Sequence, residues 1–169
     1  VRVLERTVQK LKSACPRVII GTSPDESLFL PGVEIFTDLV PDYGSLAGLY
    51  TGLKQAKDYV FAAASDMPFL NPELIRHMIE IADGWDAVVP KPGGLYEPLH
   101  AIYSQTCLPV MEELIQRGER KINKCYDRAK VLSIEDDVID SFDPRRPSFF
   151  NINSPEDLAR AEKIVSEQI

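Results

Sequence analysis

The chain has 169 residues, 44% of them hydrophobic, enough to bury the core of one globular domain, and no linker or low-complexity tract divides it. Nineteen basic side chains against 26 acidic ones leave a net charge of −7, which excludes a general affinity for nucleic acid or anionic membranes. An anionic substrate must therefore be met by a metal or by local basic groups.

Val1 to Ala14 carries Val1, Leu4, Val8, Leu11 and Ala14 on one face, which predicts an amphipathic helix ended by Pro16. Arg17 to Gly21 is a β-branched run that reads as a strand closing in Gly21-Thr22-Ser23-Pro24; a shorter strand follows from Val33 to Thr37 and ends at Asp38. Asp42 to Leu53 is a glycine-spaced turn entering a helix, with Leu46, Leu49 and Leu53 inward and Ser45 as the expected N-cap. Its glycines either let backbone N–H groups approach an anion at the helix start or serve close helix packing.

Tyr59 to Ala64 is short and uncharged, as suits a strand buried on both faces, and it leads into Asp66. Asn71, Pro72 and the spacing of Leu74, Ile75, Met78, Ile79 and Ala82 then predict a capped helix. Asp86 to Pro90 reads as another strand, Lys91 to Gly94 as a turn, and Tyr96 to Tyr103 as an antiparallel return that makes the sheet mixed. Ser104 to Arg117 predicts a helix stopped by Gly118, and a short helix follows from Glu119 through Tyr126. Val131 to Ile134 is a short strand, and Ile139 to Ser148, with Pro144 and Pro147, reads as irregular. Ser154-Pro155-Glu156-Asp157 opens a last helix with Leu158, Ala161, Ile164 and Val165 inward. The alternation predicts a single domain over 1–169, a three-layer α/β/α sandwich with a mostly parallel mixed sheet and a small antiparallel insertion around 91–103. Neither GxGxxG nor GxxxxGK[ST] follows a strand.

Asp66 lies where a strand gives way to a helix, the edge at which open α/β sheets bind ligands. A single carboxylate there suffices for Mg²⁺, which completes its shell with phosphate oxygens and water; the same residue type also caps turns, and position alone does not separate the two. Asp38 ends a neighbouring strand and is open to the same two readings. Asn151 and Asn153 flank Ile152, so an extended backbone turns both amides to one face, while Asn153 also stands where it can help cap the last helix. Glu119, Arg120 and Lys121 follow Gly118 and either bind phosphate or form solvated surface. His77 and His100 have no ligand spacing, and nothing local requires Glu97 or His100 to face a cleft. The odd, widely spaced Cys15, Cys107 and Cys125 read as reduced thiols. No apolar stretch approaches the roughly 18 residues of a membrane span and the opening residues show no signal-peptide pattern, so a cytoplasmic protein is expected.

Thr37-Asp38, Gly44-Ser45-Leu46-Ala47-Gly48, Ser65-Asp66-Met67-Pro68-Phe69, Gly118-Glu119-Arg120-Lys121 and Phe150-Asn151-Ile152-Asn153-Ser154-Pro155-Glu156-Asp157-Leu158 together resemble the MobA-type molybdenum cofactor guanylyltransferases, in that family's order and over most of the chain. The resemblance implies a Rossmann-like nucleotidyltransferase sandwich that transfers GMP from GTP to the phosphate of molybdopterin with Mg²⁺. It implies that Asp66 holds the metal and acts with Asn153 at the reacting phosphates, and that Asp38 and Gly21 meet GTP. Asn151 falls on the phosphate side, and Arg120 and Lys121 in the pterin region. It further implies transient contact with molybdoenzymes or other cofactor-biosynthesis proteins. The family's glycine-rich loop, Leu-Ala-Gly-Gly through Arg-Met-Gly to Asp-Lys, is expected upstream of Val1 with the first strand, and Gly21 stands where the family often has Asn. The competing readings are a molybdenum cofactor cytidylyltransferase and a non-catalytic nucleotide- or pterin-binding adaptor.

Overall fold

The computed structural model describes residues 3–167, so the Val1 end of the first predicted helix lies outside the described residues. Helix α1 (Val3–Lys12) buries Thr7 and Val8. It is followed by strands β1 (Ile19–Thr22) and β2 (Glu34–Thr37), helix α2 (Ser45–Gln55), strand β3 (Tyr59–Ala63) and helix α3 (Pro72–Glu80). The second half runs β4 (Ala87–Pro90), β5 (His100–Ser104), α4 (Leu108–Gln116), β6 (Val131–Ile134), α5 (Asp136–Phe142) and α6 (Pro155–Glu167). Among the described residues no helix is long and apolar enough to cross a membrane.

The main sheet has the order β3-β5-β4-β6. Strand β5 is antiparallel to both neighbours while β4 and β6 are parallel, so β3, β4 and β6 share one direction. Strands β1 and β2 form a separate parallel pair, and Gly52 of α2 lies against Val60 of β3 on one side and Ile19 of β1 on the other. The alternation of side chains along the strands makes the layers. Ala62, Ala87, Val89, Ala101 and Tyr103 join Leu46, Leu49 and Leu53 of α2 and Met111 of α4 in one core. Val88 and Ile102 point the other way and meet Leu74 and Met78 of α3 and Ile139 of α5. Helices on both faces of a mixed, mostly parallel sheet give the expected three-layer α/β/α sandwich.

Four local expectations change. The antiparallel return is shorter than Tyr96 to Tyr103, because a turn closed by the His100 N–H on the Glu97 carbonyl at 3.2 Å delays the strand to His100. Nor is it a peripheral insertion: β5 is buried along its whole length between β3 and β4, with Ala101 and Tyr103 in one core and Ile102 in the other. The stretch read as irregular opens on the second half of α5, whose first turn is acidic at Asp136 and Asp137 and whose Val138, Ile139 and Phe142 face the second core. The prolines that obscured it, Pro144 and Pro147, lie past its end. Finally, Gly44 rather than Ser45 occupies the N-cap of α2, with φ +54° and no side-chain cap.

The cap of α3 is as the sequence predicts: Asn71 Oδ1 accepts from the N–H groups of Glu73 (2.8 Å) and Leu74 (3.4 Å). Its Nδ2 donates to the Phe142 carbonyl at 2.7 Å, tying α3 to the end of α5. Asn71→Ala removes the cap and strands that carbonyl, so urea unfolding is expected to show a loss of about 1–2 kcal/mol. A loss below a few tenths would show that α3 does not depend on its cap.

Candidate functional site

The residues of interest lie at the carboxyl ends of β1, β2 and β3. Strand β1 carries Gly21 opposite Phe36, and the Asp38 N–H continues the ladder by donating to the Thr22 carbonyl at 2.8 Å. This extended pairing turns the Asp38 carboxylate across Gly21: a Cβ at position 21 would lie 2.8 Å from Asp38 Oδ1 and 3.3 Å from Gly48 Cα. Glycine is therefore required at position 21 by the approach of a side chain and of the first turn of α2. Asp38 Oδ1 is buried without a hydrogen-bond partner. Burial pushes the Asp38 carboxyl up from its ordinary range, and the Thr51 hydroxyl partly opposes the rise. Thr51 also accepts from the Leu39 N–H at 3.0 Å, so α2 fixes the turn after Asp38 at two points. The N-terminus of α2, uncapped by any side chain, opens beside this group and suits an anion.

Asp66 follows β3 by three residues, and its backbone carbonyl accepts from the Ile152 N–H at 3.0 Å. That bond seats the Asn-Ile-Asn segment against the end of β3. Asp66 Oδ1 and Asn151 Oδ1 are both buried without partners, two oxygen acceptors left open where an unpaired polar group ordinarily costs free energy. Asn153, by contrast, is exposed, and its N–H donates to Asp157 Oδ2 at 3.2 Å. Ser154 completes the helix start, giving its hydroxyl to Asp157 Oδ2 at 2.8 Å and accepting from the Asp157 N–H at 3.1 Å. The segment is thus held by backbone and cap, leaving the Asn151 amide uncommitted.

Glu97, for which the sequence offers no local reason to face a cleft, is brought to this edge by the fold. Its N–H donates to the Pro90 carbonyl at 2.9 Å, which places it at the carboxyl end of β4 in the same row of strand ends. Burial pushes its carboxyl up, and the charge of Asp66 adds to the rise. The signal was the three-residue distance of Glu97 from His100, which becomes informative once Ala63 is known to pair with His100. His100 itself is fully buried, edge-on to Phe61 with centroids 5.2 Å apart and against Phe149 at 4.6 Å. Neither of its ring nitrogens has a well-formed hydrogen bond, and burial holds the imidazole down to about 3, the Ser148 backbone opposing the shift weakly. It is core, and Phe149 beside it leads directly into Asn151.

Arg120 and Lys121 stand apart on an exposed turn past Gly118, whose φ is +72°. Glu119 Oε1 accepts from both of their N–H groups, at 2.9 and 3.0 Å, so the carboxylate organises the turn and leaves the two cationic side chains in solvent. The turn is joined to the start of α2 through the Tyr43 hydroxyl, which donates to the Ile115 carbonyl at 2.8 Å.

Among the described residues no three His, Cys, Asp or Glu side chains form a metal cluster. What the geometry offers a cation is a carboxylate oxygen and an amide oxygen, Asp66 Oδ1 and Asn151 Oδ1, a hard-oxygen set suited to a small divalent ion that draws its remaining ligands from substrate and water.

Residues 1–131 match the family model described as MobA-like NTP transferase domain. A probable molybdenum cofactor guanylyltransferase of Natranaerobius thermophilus is 41% identical over 73% of this chain, which spans 62% of that relative's length. A molybdenum cofactor guanylyltransferase of Desulfosudis oleivorans is 36% identical over 96% of this chain and 82% of its own. The crystal structure of molybdopterin-guanine dinucleotide biosynthesis protein A from Archaeoglobus fulgidus superposes with a TM-score of 0.72 at 33% identity, covering 96% of this chain and 75% of that one.

Proposed function

We propose that this chain, which belongs to the MobA-like NTP transferase family, transfers GMP from GTP to the phosphate of molybdopterin, forming the guanine dinucleotide of the cofactor and pyrophosphate. The observation that carries the reading is the pair of buried, unpartnered oxygens of Asp66 and Asn151 at the end of β3, in a chain whose relatives bear the guanylyltransferase name. An oxygen of the pterin phosphate attacks the α-phosphorus of GTP, the α–β phosphoanhydride bond breaks, and pyrophosphate departs. Mg²⁺ held by Asp66 and Asn151 would supply charge neutralisation for the phosphates.

The protein's own part is positioning. Gly21 and Gly48 let the Asp38 carboxylate and α2 close on β1 beside the nucleotide site, and the start of α2 presents N–H groups to an anion. Asp38, an acceptor-only group with an open buried oxygen, suits the N–H donors on the edge of guanine. Asn151 is assigned to the phosphate side, with the solvent-exposed Asn153 two residues on, and the exposed Arg120 and Lys121 serve the anionic pterin. Among the described residues strands β1 and β3 each pair on one side, and both sit under α2, which leaves room for a further strand between them. Free thiols at Cys15, Cys107 and Cys125 fit a cytoplasmic enzyme.

The test is ligand-dependent melting of the full-length protein. GTP with Mg²⁺ at about 100 times its Kd should stabilise by about 2.7 kcal/mol and raise Tm by about 5–10 °C, with CTP giving much less. An equal response to both nucleotides overturns the guanylyl assignment, and a larger response to CTP favours a cytidylyl one. Stabilisation without pyrophosphate release in the presence of molybdopterin favours a binding module.

A further inference from the structure

The β3–β5 ladder ends at the pair Ala63 and His100, and both chains leave it at the same edge. Asp66 lies three residues beyond Ala63, and Glu97 three residues before His100. The two residues therefore stand at adjacent strand ends. The turn that carries Glu97 is firmly held. Its ends are pinned by the Glu97 N–H on Pro90 and the His100 N–H on Glu97, and its middle by the buried Tyr103 hydroxyl, which donates to the Pro98 carbonyl at 2.8 Å. Tyr103 in turn hydrogen-bonds the Tyr126 hydroxyl at 2.7 Å. The carboxylate itself has little to do: among the described residues it accepts a long 3.4 Å bond from the Leu99 N–H.

A rigidly mounted, half-buried carboxylate that feels the charge of a second one is a repulsive arrangement in the free protein, and among the described residues neither Glu97 nor Asp66 has a side-chain cation paired with it. Beside them lies the open Oδ1 of Asn151, brought in by the Ile152 N–H on Asp66. A divalent cation satisfies all three observations at once: it turns the carboxylate repulsion into attraction, fills the Asn151 and Asp66 acceptors, and matches the one or two carboxylates Mg²⁺ ordinarily takes.

We propose that Glu97 is a second carboxylate of the cation site, completing with Asp66 and Asn151 a protein half-shell that faces the substrate phosphates. The assignment rests on the nucleotidyl-transfer reading for its biological meaning, but it makes a claim about cation binding alone. Its role is to raise affinity for the ion before nucleotide arrives, and to fix the ion on the β4 side of Asp66, toward the sheet centre.

The experiment is Mn²⁺ binding to the full-length protein without nucleotide, followed by the loss of the free-ion EPR signal. Glu97→Gln, which keeps shape and loses charge, is expected to weaken Mn²⁺ binding about tenfold, and Glu97→Asp to fall between the two. Wild-type Mn²⁺ affinity in Glu97→Gln overturns the proposal. Thermal melts of the same variants without metal check folding, and removing the repulsion should leave Glu97→Gln at least as stable as wild type. Because no GTP is present, failure of the guanylyl assignment would show as an unselective nucleotide response with the Mn²⁺ result unchanged, and failure of the Glu97 assignment as the reverse.

Discussion

Asp66→Ala is expected to lower turnover by about 10³-fold, the equivalent of about 4 kcal/mol of transition-state stabilisation, while leaving the protein folded. The structure separates these two outcomes. The fold uses the Asp66 backbone, whose carbonyl receives the Ile152 N–H, whereas its buried Oδ1 has no hydrogen-bond partner among the described residues. Truncating the side chain strands no partner, removes a carboxylate that repels Glu97, and deletes the oxygen available to a cation. Rates measured as pyrophosphate release, with urea unfolding of the same preparation, check both halves. Retained activity would remove Asp66 from the metal site, and a loss of stability matching the loss of rate would mean that the side chain is structural.

The second large effect is on acid stability and comes from His100. Burial among Phe61 and Phe149 holds its imidazole at about 3, against an ordinary value near 6.5 in the unfolded chain. Between those two values the unfolded chain binds a proton that the folded chain refuses, so stability rises with pH across this window and falls as the solution is acidified. The fall is about 1.4 kcal/mol per pH unit, or about 2 kcal/mol between pH 6.5 and pH 5. His100→Phe cannot titrate and replaces a ring whose nitrogens lack good partners, so it should be near neutral or stabilising at pH 7 and should show a shallower acid decline. The carboxyls that shift on folding are common to both proteins and cancel in the comparison. Equal slopes of urea stability against pH for the two proteins would assign the acid sensitivity elsewhere.

How much of this was legible beforehand depends on the range of the interaction. The run Tyr59–Ala64, the Asn71-Pro72 helix start and the Ser154-Pro155 cap are local events, decided within a few residues by backbone donors, caps and apolar spacing, and the sequence displays them directly. Helix α5 was obscured because its apolar face, Val138, Ile139 and Phe142, is short and two prolines follow it closely. It is stabilised by what it packs against, α3 and the sheet, which no local pattern reveals.

By itself the sequence determined the alternation of strands and helices, the ordered motifs that carry the family resemblance, and Asp66 as a carboxylate at a strand end. Only the tertiary structure decided which other groups share its space. It drew in Asn151 through a backbone bond to Ile152, left Asn153 in solvent, turned Asp38 over Gly21, and set Glu97 beside Asp66 by running β5 through the middle of the sheet. The reason is that pairing between strands joins residues dozens of positions apart, and a carboxylate acquires a partner from that pairing rather than from its neighbours in the chain.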